Sequence, residues 1–120
     1  MGSQANNFHT DRSPRRVFNR AVGILRDGKF ELAQALQISE SGMALVTPHA
    51  LAVGSRLVIT LVIPSAEGLV LRAIVVAERD PVGNMRTYGI QFSSMHLHER
   101  RMIRSYVSAK TQAEAEDEKS

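Results

Sequence analysis

Two arginines four residues apart, in the run Arg16-Val17-Phe18-Asn19-Arg20, stand ahead of a polar segment, Gln37-Ile38-Ser39-Glu40-Ser41-Gly42. A guanidinium is a permanently charged planar fork that suits phosphate oxygens and the O6/N7 edge of guanine. On an extended arm, heads spaced like Arg16 and Arg20 spread along a ligand instead of converging on one point, and Arg15 stands next to them. A serine hydroxyl and a carboxamide, here Ser39 and Gln37, can meet the opposite edge of a base. Gly42 permits a sharp backbone turn. The two elements together fit a site for an anionic guanine nucleotide.

The elements that must position these residues read mainly as strands. Residues 12–19, with Pro14 and three arginines, read as an extended basic arm. A short aliphatic strand over 21–26 ends at Asp27-Gly28, a strong hairpin signal. Residues 30–39 follow, with Phe30, Leu32, Gln34, Leu36 and Ile38 expected on one face at period two. The polar segment is then the turn into a strand over 42–47, which Pro48 stops. Gly54 opens the clearest strand, with Leu57, Ile59, Leu61 and Ile63 on one face and Pro64 at its end.

The stretch 69–77 is apolar on both faces except at Arg72, so its second face must be covered by the closing helix or by a partner. Residues 80–84, with Pro81 and Gly83, are expected as a loop before a last strand over 87–92, where Tyr88, Ile90 and Phe92 share a face. The period then changes. Met102, Ile103, Tyr106 and Val107 form one helical stripe, and His96 with Glu99 three residues on marks the start of that helix. Six short strands and one closing helix predict a mainly β fold, a six-stranded antiparallel barrel with a C-terminal α-helix.

A chain of 120 residues is expected to hold one domain, here 12–110, flanked by a disordered N-terminal tail over 1–11 and an acidic disordered tail over 111–120. The formal charge of +3 hides an asymmetry: residues 113–120 carry a net −3, leaving +6 on the rest. Four arginines fall between Arg12 and Arg20, and such an arm favours an anionic partner. There is no cysteine, so disulfides and thiol chemistry are excluded. No apolar run approaches the roughly 20 residues of a membrane span, and the N-terminus has no hydrophobic stretch of a secretory signal. A cytoplasmic location is expected. His96 and His98 lack metal-ligand spacing, no G-x-S-x-G or lysine-bearing phosphate loop occurs, and the chain reads as a non-enzyme without a metal.

Arg16, Arg20, Ser39 and Gly42 match the R-x-x-x-R and [D/N]-x-S-x-x-G signature of PilZ domains, the bacterial receptors for cyclic di-GMP. The resemblance runs from about Arg12 to Lys110. It takes in Gly54, the strand Gly89-Ile90-Gln91-Phe92 and the closing helix, and departs from the pattern at Gln37, where the family has Asp or Asn. What it implies is a cyclic di-GMP receptor with Arg15, Arg16, Arg20, Gln37, Ser39 and Gly42 at the ligand. Arg79 is a further candidate to stack on a base. Such a receptor would signal as an adaptor, through a protein partner, once ligand orders the arm.

A glutamine offers one neutral acceptor where aspartate offers two charged ones, so weakened binding is expected. The departure keeps a second reading open, a ligand-independent interaction module of the same fold. A third, a small basic nucleic-acid-binding barrel, suffers from having only six aromatic residues, of which Phe30, Tyr88 and Phe92 fall in core-like stripes.

Overall fold

The computed structural model describes the backbone of residues 14–119 and the side chains of residues 14–109. The 1–11 segment and Arg12 lie outside the described residues. Six strands follow in order: β1 (Arg15–Arg26), β2 (Lys29–Ser39), β3 (Gly42–Thr47), β4 (Arg56–Val62), β5 (Gly68–Val82) and β6 (Met85–Ser94). One helix, α1 (Leu97–Lys119), follows them and covers the segment expected as an acidic tail as far as Lys119. The strands are antiparallel and close into a barrel in the order β1-β2-β3-β6-β5-β4.

Local chemistry explains most of these boundaries. Asp27 and Gly28 both take positive φ, 51° and 75°, the mirror-image turn whose twist suits a two-residue hairpin. The β4 stripe Leu57, Ile59 and Leu61 is buried, as are Tyr88, Ile90 and Phe92 of β6. Tyr88 is wholly enclosed, and its hydroxyl accepts the Leu51 N–H at 2.8 Å, so its one polar atom has a partner inside the core. The helix begins as expected. The His96 N–H donates to the Glu99 carboxylate at 2.9 Å, one half of a capping box. Ile103 and Val107 are buried, with Met102 and Tyr106 packed beside them, and α1 rests against β1 and β2.

Three expectations need correction. Residues 15–19 are not a free arm: Arg15, Arg16 and Val17 pair with Ser39, Ile38 and Gln37 in the β1–β2 ladder. The stripe proposed for β2 does not exist, because Phe30 and Leu32 point outward while Ala33, Ala35 and Ile38 are buried. The ladder with β3 shifts register between Ala35 and Gln37, and an alternation cannot be carried across such a bulge. The loop expected over 80–84 shrinks to the turn Gly83-Asn84, since β5 runs through Pro81 to Val82. Pro81 sits where the pairing with β6 is already irregular, between Arg79 and Val82, so its missing N–H breaks no regular ladder. Of the two covers left open for the outer face of β5, the helix is excluded: α1 rests on β1 and β2, and Val70 remains exposed.

Candidate functional site

The β2–β3 turn is built by Ser39. Its side chain is buried, and its Oγ accepts the N–H groups of Ser41 and Gly42, each at 3.2 Å, and lies 3.0 Å from Ser41 Oγ. This is a serine folding its own turn. The hydroxyl expected at the ligand is thus engaged in shaping the loop. Gly42 is required for a different reason from the one its position suggested. Its backbone lies against β6 so closely that a Cβ would fall 1.9 Å from the Ile90 carbonyl oxygen. It serves close approach of two backbones, not an unusual φ.

Beside this turn the outer surface of β2, β3 and β6 forms a recess of about 650 Å³, a volume suited to a small ligand. Arg15, Gln37, Ser39, Gly42, Arg79 and Gln91 are among its lining residues. Pairing explains the gathering: Arg15 stands opposite Ser39, and Gln37 opposite Val17 and Ala44. Gln37 is exposed and Arg15 is exposed. The Arg15 guanidinium forms no ion pair among the described residues, so a charge waits at the rim unneutralised. Arg79 reaches the same recess from β5, at the strand end read as holding a base-stacking candidate.

The two arginines that led the sequence reading are not gathered there. Adjacent strand residues point to opposite faces, and Arg16 therefore turns away from Arg15 toward α1. Its Nη1 donates to the Tyr106 carbonyl at 3.0 Å, and its guanidinium carbon lies 3.7 Å from the Tyr106 ring centroid. Phe18 meets the same ring edge-on, at 5.9 Å between centroids. Arg16 lines a second hollow between α1 and the β4–β5 connection. Arg20 is exposed and lines neither hollow. Between them the β1–β2 register slips by one residue, and Asn19 takes a φ of 49°. Asparagine tolerates that left-handed conformation better than most residues.

The sequence also carries a second R-x-x-x-R spacing, from Arg12 to Arg16. The signal was available: Arg16 is common to both frames, and only Arg12 precedes the first paired residue of β1.

The site turn is joined to the helix by charge. Arg104 binds Glu40 with Nη2–Oε1 at 2.9 Å and Nε–Oε2 at 3.3 Å, and Arg100 stands 3.7 Å from the same carboxylate. The Arg104 hydrogen bond, opposed by partial burial and aided by the charges of Arg104 and Arg100, holds the Glu40 carboxyl below its ordinary value. Among the described residues, no group of three or more His, Cys, Asp or Glu side chains is arranged to hold a metal ion. No helix among the described residues is long and apolar enough to cross a membrane.

No curated protein matches the chain by sequence at a significant level. Among solved structures, MotI/DgrA, an inhibitor of motility from Bacillus subtilis, superposes with a TM-score of 0.76 at 17% identity, over 87% of this chain and 52% of that one. YcgR from Escherichia coli, in complex with c-di-GMP, gives 0.72 at 15% identity over 92% and 50%. The K. pneumonia MrkH–c-di-GMP complex gives 0.66 at 20% identity over 90% and 55%. The chain thus spans about half the length of these proteins, and the likeness shows a shared fold. The PilZ domain family model matches residues 10–109, covering the whole barrel and the docked part of α1, and this chain therefore belongs to the PilZ family.

Proposed function

We propose that this domain is a receptor for cyclic di-GMP and binds it in the recess beside the β2–β3 turn. The observation that carries the reading is the unneutralised Arg15 guanidinium beside Gln37 and the Ser39 turn, with Arg79 on the far rim. Each part has a chemical task. Arg15 offers its fork to a phosphate or to the O6/N7 edge of guanine, and Arg79 offers a planar cation on which a base stacks. Gln37 directs its carboxamide oxygen to the guanine N1–H and N2–H edge. Ser39 and Gly42 act one step back, by fixing the turn that presents Gln37. Arg12 and Arg16 supply further charge from the N-terminal side, Arg16 after releasing Tyr106. Arg20 is left a peripheral role.

The signal leaves through a protein partner. Ligand at the turn bears on Glu40, and Glu40 is tied to Arg104 and Arg100 of α1. Ligand that recruits Arg16 also removes its hold on Tyr106. Both routes end on the same helix, so its exposed side is the surface whose presentation changes with ligand.

Calorimetric titration with cyclic di-GMP tests the site. Saturable binding is expected, weakened by Arg15→Ala. Unchanged affinity in an Arg15→Ala, Arg16→Ala double variant overturns the assignment. A ligand-independent interaction module is the second reading, favoured by the engagement of Ser39 Oγ within its turn and of Arg16 with Tyr106. Absence of heat with a folded protein, together with partner capture indifferent to ligand, would establish it instead.

A further inference from the structure

The outer face of the barrel opposite in character to the recess spans the start of β2, then β1, β4 and the start of β5. Its outward positions form two cross-strand rows. One is Phe30–Leu25–Val58–Arg72, and the next is Leu32–Gly23–Thr60–Val70. Arg72 is the one charged member. Phe30 is 62% exposed, Leu32 67%, Val70 62%, Val62 61% and Leu25 42%. Gly23 lies beneath the Phe30 ring, which would be 2.6 Å from a Cβ there, so the ring lies across the β1 backbone and flattens the face. The apolar surface gathered here is on the order of 500 Å², the upper part of the range for the largest patch on a monomer. That is more than half of the roughly 800 Å² per partner of a standard interface.

We infer that this face is where two copies of the chain pack against each other. The barrel is closed, so it offers no strand edge for pairing and a partner must pack on a face. The two rows are complementary to themselves. A two-fold axis along the seam between β1 and β4 lays β2 of each copy over β5 of the other, as in an isologous dimer of packed sheets. In that arrangement Leu32 meets Val70, Leu25 meets Val58, and the Phe30 ring meets the Arg72 guanidinium, which forms no ion pair within its own chain among the described residues. The single charge thus lands on an aromatic face, where a desolvated cation is stabilised. The recess lies at the other ends of the shared strands, with β3 and β6, and includes none of the residues of the two rows; it stays open in the dimer, so this association does not depend on cyclic di-GMP.

Sedimentation velocity on the ligand-free chain, over about 1–500 µM, reads the outcome directly. A concentration-dependent dimer with a micromolar dissociation constant is expected. Leu32→Lys and Val70→Lys should each raise that constant more than about tenfold, because a lysine is driven into the apolar contact of β2 on β5. Val53→Lys, at an exposed apolar position off the rows, should leave it unchanged. Retained circular dichroism in each variant separates lost association from lost folding. A chain that is monomeric throughout leaves the face to a different domain or protein and overturns the inference. So does a dimer that survives both lysine substitutions.

Discussion

The recess face and the β1–β4 face are made from the same sheet, yet their outward residues obey opposite rules. Around the recess polar groups stand among an apolar lining, and most of them have partners: Ser39 closes its turn and Glu40 is held by two arginines, while Arg15 carries a charge without a carboxylate. Across the barrel the exterior is aliphatic and aromatic, and the described helix leaves it bare. A closed barrel supplies one interior, so the core alone asks nothing of either exterior. On the readings proposed above, the difference teaches that the outward half of each strand is specified by what it would meet: an anion on one side, an apolar surface on the other.

The two glycines that sit in these faces offer the largest contrast. Gly42→Ala sets a Cβ against the Ile90 backbone oxygen, which cannot move without breaking the β3–β6 ladder, and should cost about 2–4 kcal/mol. Gly23→Ala meets the ends of Phe30 and Thr60, exposed or half-exposed side chains that can rotate aside, and should cost about 1 kcal/mol or less. Thermal unfolding of the pair measures both, and equal losses would show that the recess strands are no more constrained than the others.

Charge at the recess comes next. Arg15→Ala should weaken cyclic di-GMP binding about ten- to hundredfold, the value of a bidentate contact, and Arg20→Ala should change it little. Arg12→Ala costing more than Arg20→Ala would show that the working pair is Arg12 and Arg16. Titration calorimetry ranks all three. A smaller gain is expected from Gln37→Asp, which replaces a neutral acceptor by a charged one and should tighten binding roughly fivefold. An unchanged dissociation constant would place Gln37 away from the base.

The smallest effect belongs to Glu40. Its carboxyl titrates below the ordinary value of 4.5 because Arg104 donates hydrogen bonds to the ionised form. A depressed carboxylate contributes its stability in full above the unfolded value and loses it as pH falls through the folded one. The thermal midpoints of the chain and of Glu40→Gln should therefore differ slightly at neutral pH and converge in acid. The pair is largely solvated, so the difference is small.

Much of this was legible in the sequence. The barrel, the Asp27-Gly28 hairpin, the β6 stripe of Tyr88, Ile90 and Phe92 and the helical stripe through Val107 each rest on local chemistry that one stretch of chain displays. The polar turn at 37–42 was visible for the same reason. Two things were not. The facing of β2 was misread because Phe30 and Leu32 are apolar outside, and hydrophobicity reports burial only where the exterior is polar. The grouping of the arginines was misread because spacing along a chain gives direction only when the strand is regular, and β1 is not. Arg16 and Arg20 share a spacing; Arg15 and Ser39 share a ladder position, which no residue type announces.

The irregularity at Asn19 has one more consequence. It is a single extra residue, and it decides whether odd- or even-numbered residues upstream of it face the recess. Shortening β1 by that residue would exchange the orientations of Arg15 and Arg16 while leaving the composition of the remaining segment intact. The guanidinium now resting on Tyr106 would swing to the ligand side, and its neighbour would take its place on the helix. Phe18, buried in the core and packed on Tyr106, would turn outward with them, so on the proposed function an insertion or deletion in this strand acts on stability and on the ligand face together.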